Sequence, residues 1–189
     1  MRHAEAFKNL PHDPATDPAK LEDLTEKGRK QAVDAAPKLK DVSAPFYCSP
    51  AGRARATAAL VAETRGAAPP VSDPGFGPLV DGKDVDGKPF PIAKRMSAWK
   101  RGEDPKPADG ESLADVKARA AAAANALAKA HPGGAAVVVA HGEVAACLVA
   151  HATRRDEKAV FLSGGPPHCG VLVFEIAPDG TWTFVGPLT

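Results

Sequence analysis

The sequence predicts an α/β fold: a three-layer sandwich with a mostly parallel central sheet flanked by helices, and a C-terminal hairpin. Short apolar runs alternate with helical patterns through the middle of the chain, which is the order of strand–helix–strand units. Residues 135–140 are apolar throughout, as is typical of a central parallel strand that is covered on both faces. Two β-rich segments, 170–176 and 181–185, flank a Pro-Asp-Gly turn and predict the hairpin.

The first half of the chain is predicted to form a loop, a helix, a strand and a second helix. Residues 7–23 are rich in Pro and Asp and predict the loop. Thr25 is a suitable N-cap for a helix that runs over about 26–36 and ends near a proline. The apolar run 46–48 stops at Ser-Pro and predicts a buried strand, and the pattern over 51–65 predicts a helix that stops at a glycine.

The second half begins with a long excursion. Residues 66–110 are rich in Gly, Pro and Asp and have little periodicity, and loops of this length usually form lids or substrate walls. Ser112 and Asp115 form a variant of the capping box that opens a long alanine-rich helix, which closes near His131. After the central strand, the pattern predicts one more helix over about 143–152.

Composition and charge limit the possible functions. A chain of 189 residues can bury roughly 70% of its unfolded surface, so we expect a single domain over 1–189. The net charge of +1 argues against a nucleic-acid or membrane partner, since both require a concentrated basic surface. Three Cys are too few for a disulfide framework, and the six His show no metal-ligand spacing, so no metal site is expected.

Three polar segments are predicted to meet at one edge of the sheet. Arg2 and His3 open the chain, Arg53 follows the first predicted strand, and His141 follows the central strand. Because ligands of open α/β sheets bind beyond the carboxyl ends of the strands, these side chains should converge near two helix N-termini, which favour an anion. Arginine holds two phosphate oxygens at once, and a neutral imidazole can attack phosphorus. A second histidine, when protonated, can stabilise charge on the transferring oxygens. The pattern predicts a phosphate site.

Five motifs, in this order, resemble those of the histidine phosphatase (phosphoglycerate mutase-like) superfamily. The opening Arg2-His3-Ala4-Glu5-x-x-x-Asn9 is similar to R-H-G-E-x-x-x-N. The other four are Leu24–Ala32 (similar to L-T-x-x-G-x-x-Q-A), Cys48–Ala58 (similar to S-S-P-L-x-R-A-x-Q-T-A), Gly110-Glu111-Ser112 (similar to G-E-S) and Val138–Gly142 (similar to the second-histidine motif). The resemblance spans about residues 1–152 and implies a cofactor-independent phosphomonoesterase.

The resemblance also implies roles for particular residues. It makes His3 the nucleophile that becomes phosphohistidine, and His141 its catalytic partner. Arg2, Arg53 and His141 would form the phosphate pocket, with Asn9 at its edge. The implied ligand is a small phosphorylated substrate or inorganic phosphate, and the implied chemistry needs no metal and no cofactor. The oligomeric state stays open.

The proton donor is less clearly indicated than the other site residues. Family members carry a Glu in an L-x-E segment of the excursion, and Leu79-Val80-Asp81 is the nearest match, which makes Asp81 the candidate. Its side chain is one methylene shorter than Glu, and three other carboxylates compete: Asp73, Asp84 and Asp86. Glu143 stands where a small residue often follows His-Gly, and it could repel highly anionic substrates or orient a cationic group. The replacements Ala51-Gly52 are expected to loosen packing more than they alter chemistry.

Two other functions remain open at this point. One is a phosphoglycerate mutase-type phosphotransferase, although the short excursion favours hydrolysis. The other is a catalytically silent phosphate-binding domain, because the resemblance implies a hydrophobic strand before Arg2, where this sequence has only Met1. We expect that this strand is missing, that the natural chain begins upstream, and that His3 is poorly anchored. The default location is the cytoplasm, and a secretion signal in an upstream segment would make the protein secreted.

The remaining histidines and a cluster of basic residues have structural interpretations. We expect solvated or core roles for the other four histidines, which are His12, His131, His151 and His168. Lys94-Arg95 and Lys100-Arg101 flank Trp99 in the excursion. They could form a basic lid over an anionic substrate, but a solvated loop is the favoured interpretation.

Overall fold

The computed structural model describes residues 1–13, 15–40 and 42–188. The helices are α1 (Pro18–Leu21), α2 (Glu26–Ala35), α3 (Gly52–Thr64), α4 (Ile92–Lys100), α5 (Leu113–Ala130), α6 (Gly142–Thr153) and α7 (Glu157–Leu162). The strands are β1 (Phe46–Cys48), β2 (Val71–Ser72), β3 (Val137–Val139), β4 (Leu172–Ile176) and β5 (Trp182–Pro187).

A parallel three-stranded sheet lies at the centre, in the order β2-β1-β3. Side chains alternate between its two faces along β3. Val137 packs in a cluster with α2 and α3, whereas Val138 contacts the cluster formed by α4, α5 and α6. Helices therefore cover both faces of the sheet. Together with the antiparallel hairpin of β4 and β5, this confirms the predicted α/β sandwich.

Local sequence signals explain where the helices begin. Thr25 caps α2, its Oγ1 accepting a hydrogen bond of 2.9 Å from the Gly28 amide. Ser112 and Asp115 form the predicted reciprocal capping box at the start of α5. Helices α3 and α6 begin directly after β1 and β3, so both helix N-termini lie at the carboxyl edge of the sheet. This edge is where the sequence predicts the site.

The start of the chain runs alongside β3. The His3 amide donates to the Ala140 carbonyl, and the Ala140 amide donates to the Met1 carbonyl, both at 2.9 Å. On its other side, Arg2 exchanges two hydrogen bonds of 3.0 Å with the backbone of residues 169–170. The expectation that His3 is poorly anchored is wrong, because its segment is hydrogen-bonded along both edges.

The excursion is more ordered than its composition indicates, because it contains β2 and α4. Arg95 of α4 is fully buried, which contradicts the expectation of a solvated basic loop for this residue. Its guanidinium donates to the carbonyl oxygens of Asp81 (2.7 Å), Glu111 (2.9 Å) and Pro105 (3.3 Å). These acceptors come from the middle of the excursion, from near its end and from the residue just beyond it. Arg95 therefore holds the fold of the excursion through backbone groups, which a charge pattern does not reveal.

The C-terminal hairpin packs on the helical layer rather than on the parallel sheet. Trp182 of β5 lies edge-on to His151 of α6, with ring centroids 4.9 Å apart. Its indole N–H donates to Asn125 Oδ1 of α5 at 2.9 Å. In the part of the chain that the structure describes, no helix is both long and apolar enough to cross a membrane.

Candidate active site

His3 is held in one defined orientation. Its ring is buried, and its Nδ1 lies 2.7 Å from the carbonyl oxygen of Ala4. Because a carbonyl only accepts, Nδ1 carries the proton and Nε2 is unprotonated, with a lone pair. Nε2 in turn accepts a hydrogen bond of 3.2 Å from Arg53 Nε. The Ala4 amide donates to Thr57 Oγ1 at 3.0 Å, which fixes the backbone next to His3.

Arg53 joins the two histidines of the site. While Nε donates to His3, Nη2 donates to His141 Nδ1 at 3.2 Å. The third nitrogen, Nη1, donates to a carboxylate oxygen of Glu22. Arg53 lies in the first turn of α3 and is only 5% exposed. The guanidinium is therefore committed on all three nitrogens, and its orientation is set by three separate partners.

His141 is oriented by a serine. Its Nδ1 accepts from Arg53, so the proton lies on Nε2, which donates to Ser49 Oγ at 2.7 Å. Ser49 is fully buried and directly follows β1, and its Oγ also accepts from the Ala51 amide at 3.2 Å. His141 is the N-cap residue of α6 but makes no side-chain cap bond there. Its ring is thus available to the site rather than to its own helix.

Both imidazoles are neutral at physiological pH. Burial, reinforced by the nearby Arg53 charge, lowers the pKa of His3 to about 3. The same two causes, with burial the larger, lower the pKa of His141 to about 2. The ring centroids of the two histidines are 5.2 Å apart, so protonating either ring would also disfavour protonating the other. A neutral His3 whose Nε2 is unprotonated is a competent nucleophile.

These side chains line a cavity of about 380 Å³. Its lining consists of Arg2, His3, Lys8, Asn9, Arg53, His141, Gly142, Glu143, Phe161 and Gly165. Arg2 donates through Nη1 to the Pro166 carbonyl at 3.0 Å, and its buried Nε has no partner among the described residues. Asn9 Oδ1 accepts from the Ala6 amide at 3.0 Å. The N–H donors of the arginines, of Lys8 and of the start of α6 suit an anion.

The profile of the histidine phosphatase superfamily (branch 1) matches residues 1–186. The chain belongs to this superfamily. No curated protein matches the sequence significantly. The chain is nevertheless similar to solved structures along its whole length.

A mycobacterial glucosyl-3-phosphoglycerate phosphatase, solved with VO3, is 25% identical to this chain, with a TM-score of 0.74. The match covers 97% of this chain and 94% of that one. A second mycobacterial hydrolase is also 25% identical, with a TM-score of 0.76 over 100% of this chain and 95% of that chain. A phosphoserine phosphatase from Entamoeba histolytica, in complex with 3-phosphoglyceric acid, shares the fold at 22% identity and a TM-score of 0.77, covering 100% and 94% of the two chains.

Of the site residues that the sequence predicts, all but Asp81 line the cavity. Asp81 is exposed, and its backbone carbonyl is drawn toward the interior by Arg95. The carboxylate that does line the cavity belongs to Glu143, whose Oε1 accepts from the Leu79 amide at 3.3 Å. The structure therefore separates Asp81 from the other predicted site residues and brings Glu143 to them.

Several residues at the site were not assigned to it from the sequence. Glu22 contacts Arg53, Lys8 lines the cavity, and Ser49 contacts His141. His168, expected to be structural, donates from Nδ1 to the His3 carbonyl at 3.0 Å, and its ring centroid is 5.4 Å from that of His3. Ser49 stands inside a quoted motif and could have been found there. Glu22 and Lys8 lie in a stretch without periodicity, which gives no signal.

The donor set of the site is nitrogen-rich and positively charged. Among residues 1–13, 15–40 and 42–188, no group of three or more His, Cys, Asp or Glu side chains is arranged to hold a metal ion.

All three cysteines, Cys48, Cys147 and Cys169, are free and buried. Burial raises the pKa of the Cys147 thiol to about 12 and that of Cys169 to about 11. These thiols are protonated at neutral pH and are poor nucleophiles.

Proposed function

We propose that this member of the histidine phosphatase superfamily is a cofactor-independent phosphomonoesterase that hydrolyses a small phosphorylated substrate through a phosphohistidine at His3. The orientation of the His3 ring carries the proposal. Ala4 holds the Nδ1 proton, which leaves the Nε2 lone pair beside Arg53 at the cavity. An unprotonated nitrogen next to an anion-binding guanidinium can attack phosphorus and divide one difficult transfer into two easier ones.

In the first step, the Nε2 lone pair of His3 forms an N–P bond while the P–O bond to the leaving alcohol breaks. Arg2 and Arg53 neutralise the charge on the phosphate oxygens, with Asn9 at the edge of the pocket. His141 carries its proton on Nε2. This N–H group can donate a hydrogen bond to a phosphate oxygen in place of the one that it donates to Ser49. The N–H groups at the start of α6 add a favourable field.

We assign the proton donor to Glu143, in place of the Asp81 expected from the sequence. Glu143 supplies the carboxyl group in the cavity lining, and its contact with the Leu79 amide holds it on the cavity wall. In the first step its proton passes to the leaving alkoxide. In the second step its carboxylate takes a proton from water, the water oxygen attacks phosphorus, and the N–P bond breaks to release phosphate and neutral His3.

The nature of the substrate is inferred from the site and from its relatives. The cavity offers Arg2, Arg53 and Lys8 as positive groups within about 380 Å³, which suits a small phosphate ester. The mycobacterial relative is a glucosyl-3-phosphoglycerate phosphatase, and one of its structures contains inorganic phosphate. We therefore infer that small phosphomonoesters, including phosphoglycerates, are the class to test.

The first experiment measures phosphate release from a panel of small phosphomonoesters, with and without EDTA. The His3→Ala variant should lose activity, whereas the variant of an exposed histidine, His12→Ala, should keep it. When the reaction is stopped after a short time without acid, phosphate should remain bound to the wild-type protein as an acid-labile, base-stable adduct. Mass spectrometry detects this adduct. If His3→Ala released phosphate at the wild-type rate, the proposed mechanism would be wrong. Conversion of 3-phosphoglycerate into its 2-isomer without free phosphate would instead identify a phosphotransferase.

The second experiment tests the proton donor with leaving groups of different basicity. A good leaving group such as p-nitrophenolate departs without a proton, whereas an alkoxide requires one. The Glu143→Gln variant should therefore lose about 100-fold or more in kcat with an alkyl phosphate and much less with p-nitrophenyl phosphate. Asp81→Asn serves as the matched control and should leave both rates unchanged. If Asp81→Asn lost activity selectively with the alkyl phosphate while Glu143→Gln did not, Asp81 would be the proton donor.

A further inference from the structure

The carboxylate of Glu22 contacts Arg53 in two places. Oε1 accepts from Nη1 of the Arg53 side chain, and Oε2 accepts from the Arg53 backbone amide at 3.3 Å. Glu22 is the C-cap residue of the short helix α1, which brings it to the start of α3. The side chain of Glu22 is 28% exposed and that of Arg53 only 7%, so the pair closes off the solvent side of the guanidinium.

The start of α3 is built to receive this carboxylate. Its N-cap residue, Ala51, has no side chain that could accept the free amides of the first turn. Glu22 supplies the missing acceptor from outside the helix. A Cβ atom at Gly52 would lie 2.9 Å from the Glu22 Cβ, so a glycine is needed for the two segments to approach this closely. The Ala51-Gly52 pair, which the sequence indicated would loosen packing, instead makes room for Glu22.

Arg53 needs a counter-charge where it lies. A buried guanidinium is costly unless it is paired and hydrogen-bonded, and its other two nitrogens face neutral imidazoles. Among the described residues, Glu22 provides the carboxylate within 4.0 Å of it. Although burial alone would raise the pKa of Glu22, the Arg53 charge and hydrogen bonds hold that pKa below its ordinary value. Glu22 is therefore ionised at neutral pH.

We propose that Glu22 is a positioning residue of the phosphate pocket: it fixes the plane of the Arg53 guanidinium so that Nε meets His3 and Nη2 meets His141. A guanidinium is rigid and planar, so anchoring Nη1 sets the direction of the two remaining edges. Glu22 is not among the residues that line the cavity, and it acts on bound phosphate through the cations that it contacts, which are Arg53 directly and Lys8 at 4.0 Å. This role rests on the proposed phosphatase function, and it makes a prediction that does not depend on turnover.

Positioning and simple electrostatics predict opposite signs for the removal of Glu22. A carboxylate that acts only through its charge weakens phosphate binding, so neutralising it would strengthen binding. A carboxylate that positions Arg53 strengthens phosphate binding, so removing it would weaken binding. Losing one charge-assisted hydrogen bond corresponds to about tenfold in affinity. The sign of the change separates the two roles.

The test measures binding of orthophosphate by calorimetry and the imidazole ¹⁵N shifts of His3 and His141 by NMR. Glu22→Ala should weaken phosphate binding about tenfold, and Glu22→Gln, which keeps one acceptor oxygen, about threefold. In both variants the ¹⁵N signals of His3 Nε2 and His141 Nδ1 should move, because these two atoms accept from Arg53. The matched control is Asp23→Ala, since the neighbouring Asp23 is exposed and pairs with no cation among the described residues.

Either variant decides the question. Tighter phosphate binding, or ¹⁵N shifts equal to those of the wild type, would overturn the positioning role, and Glu22→Gln still gives this answer if Glu22→Ala does not fold. Both measurements are made without turnover. If wild-type protein binds orthophosphate but releases none from any ester, the proposed function fails while the result for Glu22 stands.

Discussion

Acidification from pH 7 to pH 5 should destabilise the protein, because two neutral imidazoles are buried at the site. His3 has a pKa of about 3 in the folded protein, against an ordinary value of 6.5 in the unfolded chain. Between those values only the unfolded chain binds the proton, so the free energy of unfolding falls as the pH falls. The contribution is fully present above pH 6.5 and is lost progressively toward pH 3. His141, with a pKa of about 2, behaves in the same way.

The magnitude follows from the size of these shifts. Each pH unit below the unfolded pKa of 6.5 lowers the free energy of unfolding by about 1.4 kcal/mol for each group. At pH 5, each of the two histidines therefore lowers the free energy of unfolding by about 2 kcal/mol. Burial also lowers the pKa of His168, with the nearby Arg2 charge as a smaller cause, and this adds to the loss. A domain of ordinary stability has about 5–15 kcal/mol in total, so the effect should be easily measurable.

Urea unfolding at pH 7 and pH 5 tests this reasoning. Replacing His3 with Gln removes one of the two groups, so the variant should lose about 2 kcal/mol less than wild type between the two pH values. His12→Gln is the control, because His12 is exposed, and its loss should equal that of the wild type. If His3→Gln loses as much stability as wild type on acidification, the buried neutral imidazole is not the cause and the reasoning fails.

Three further predictions concern how the scaffold holds the site. A Cβ atom at Gly28 would overlap the Glu5 carbonyl oxygen, so Gly28→Ala should lower the free energy of unfolding in urea by about 1–3 kcal/mol. The control is Gly134→Ala, which should lower it less, because the nearest atom to a Cβ there would be 3.4 Å away. Arg95→Met leaves three carbonyl groups without a donor and should cost about 3 kcal/mol while making the excursion more sensitive to protease; an unchanged cleavage pattern would contradict this role. Ser112→Ala removes the N-cap of α5 and should cost about 1 kcal/mol by thermal or urea unfolding, and no loss would show that the cap bond is replaced by another acceptor.

Residues whose role depends on local pattern were predicted well from the sequence. Helices α2, α3, α5 and α6 and strands β1 and β3 lie within a few residues of their predicted bounds, because caps, glycine stops and apolar runs are local signals. The meeting of Arg53 and His141 followed from their positions after two predicted parallel strands, since the carboxyl ends of such strands share one edge. The place of His3 beside them was indicated by the motif resemblance.

Residues whose role depends on distant contacts could not be predicted in this way. Glu22 reaches Arg53 across 31 positions of the chain, and no spacing rule connects a loop carboxylate to a helix start so far away. Arg95 was misread because a charged residue in a Gly- and Pro-rich segment usually faces solvent, and only the three-dimensional fold brings backbone carbonyls to its guanidinium. The same limit explains Asp81, whose match to a short motif says nothing about the direction its segment takes.

The two arginines of the site are balanced differently. Arg53 has an ionised partner in Glu22, whereas Arg2 donates through Nη1 to a carbonyl oxygen, and its buried Nε has no partner among the described residues. A pocket with two unpaired buried arginines would be costly to fold. Pairing Arg53 with Glu22 lowers that cost and holds the guanidinium in the orientation that we propose for phosphate binding. The unpartnered Nε of Arg2 is then a donor that an arriving phosphate can use without breaking a contact within the protein.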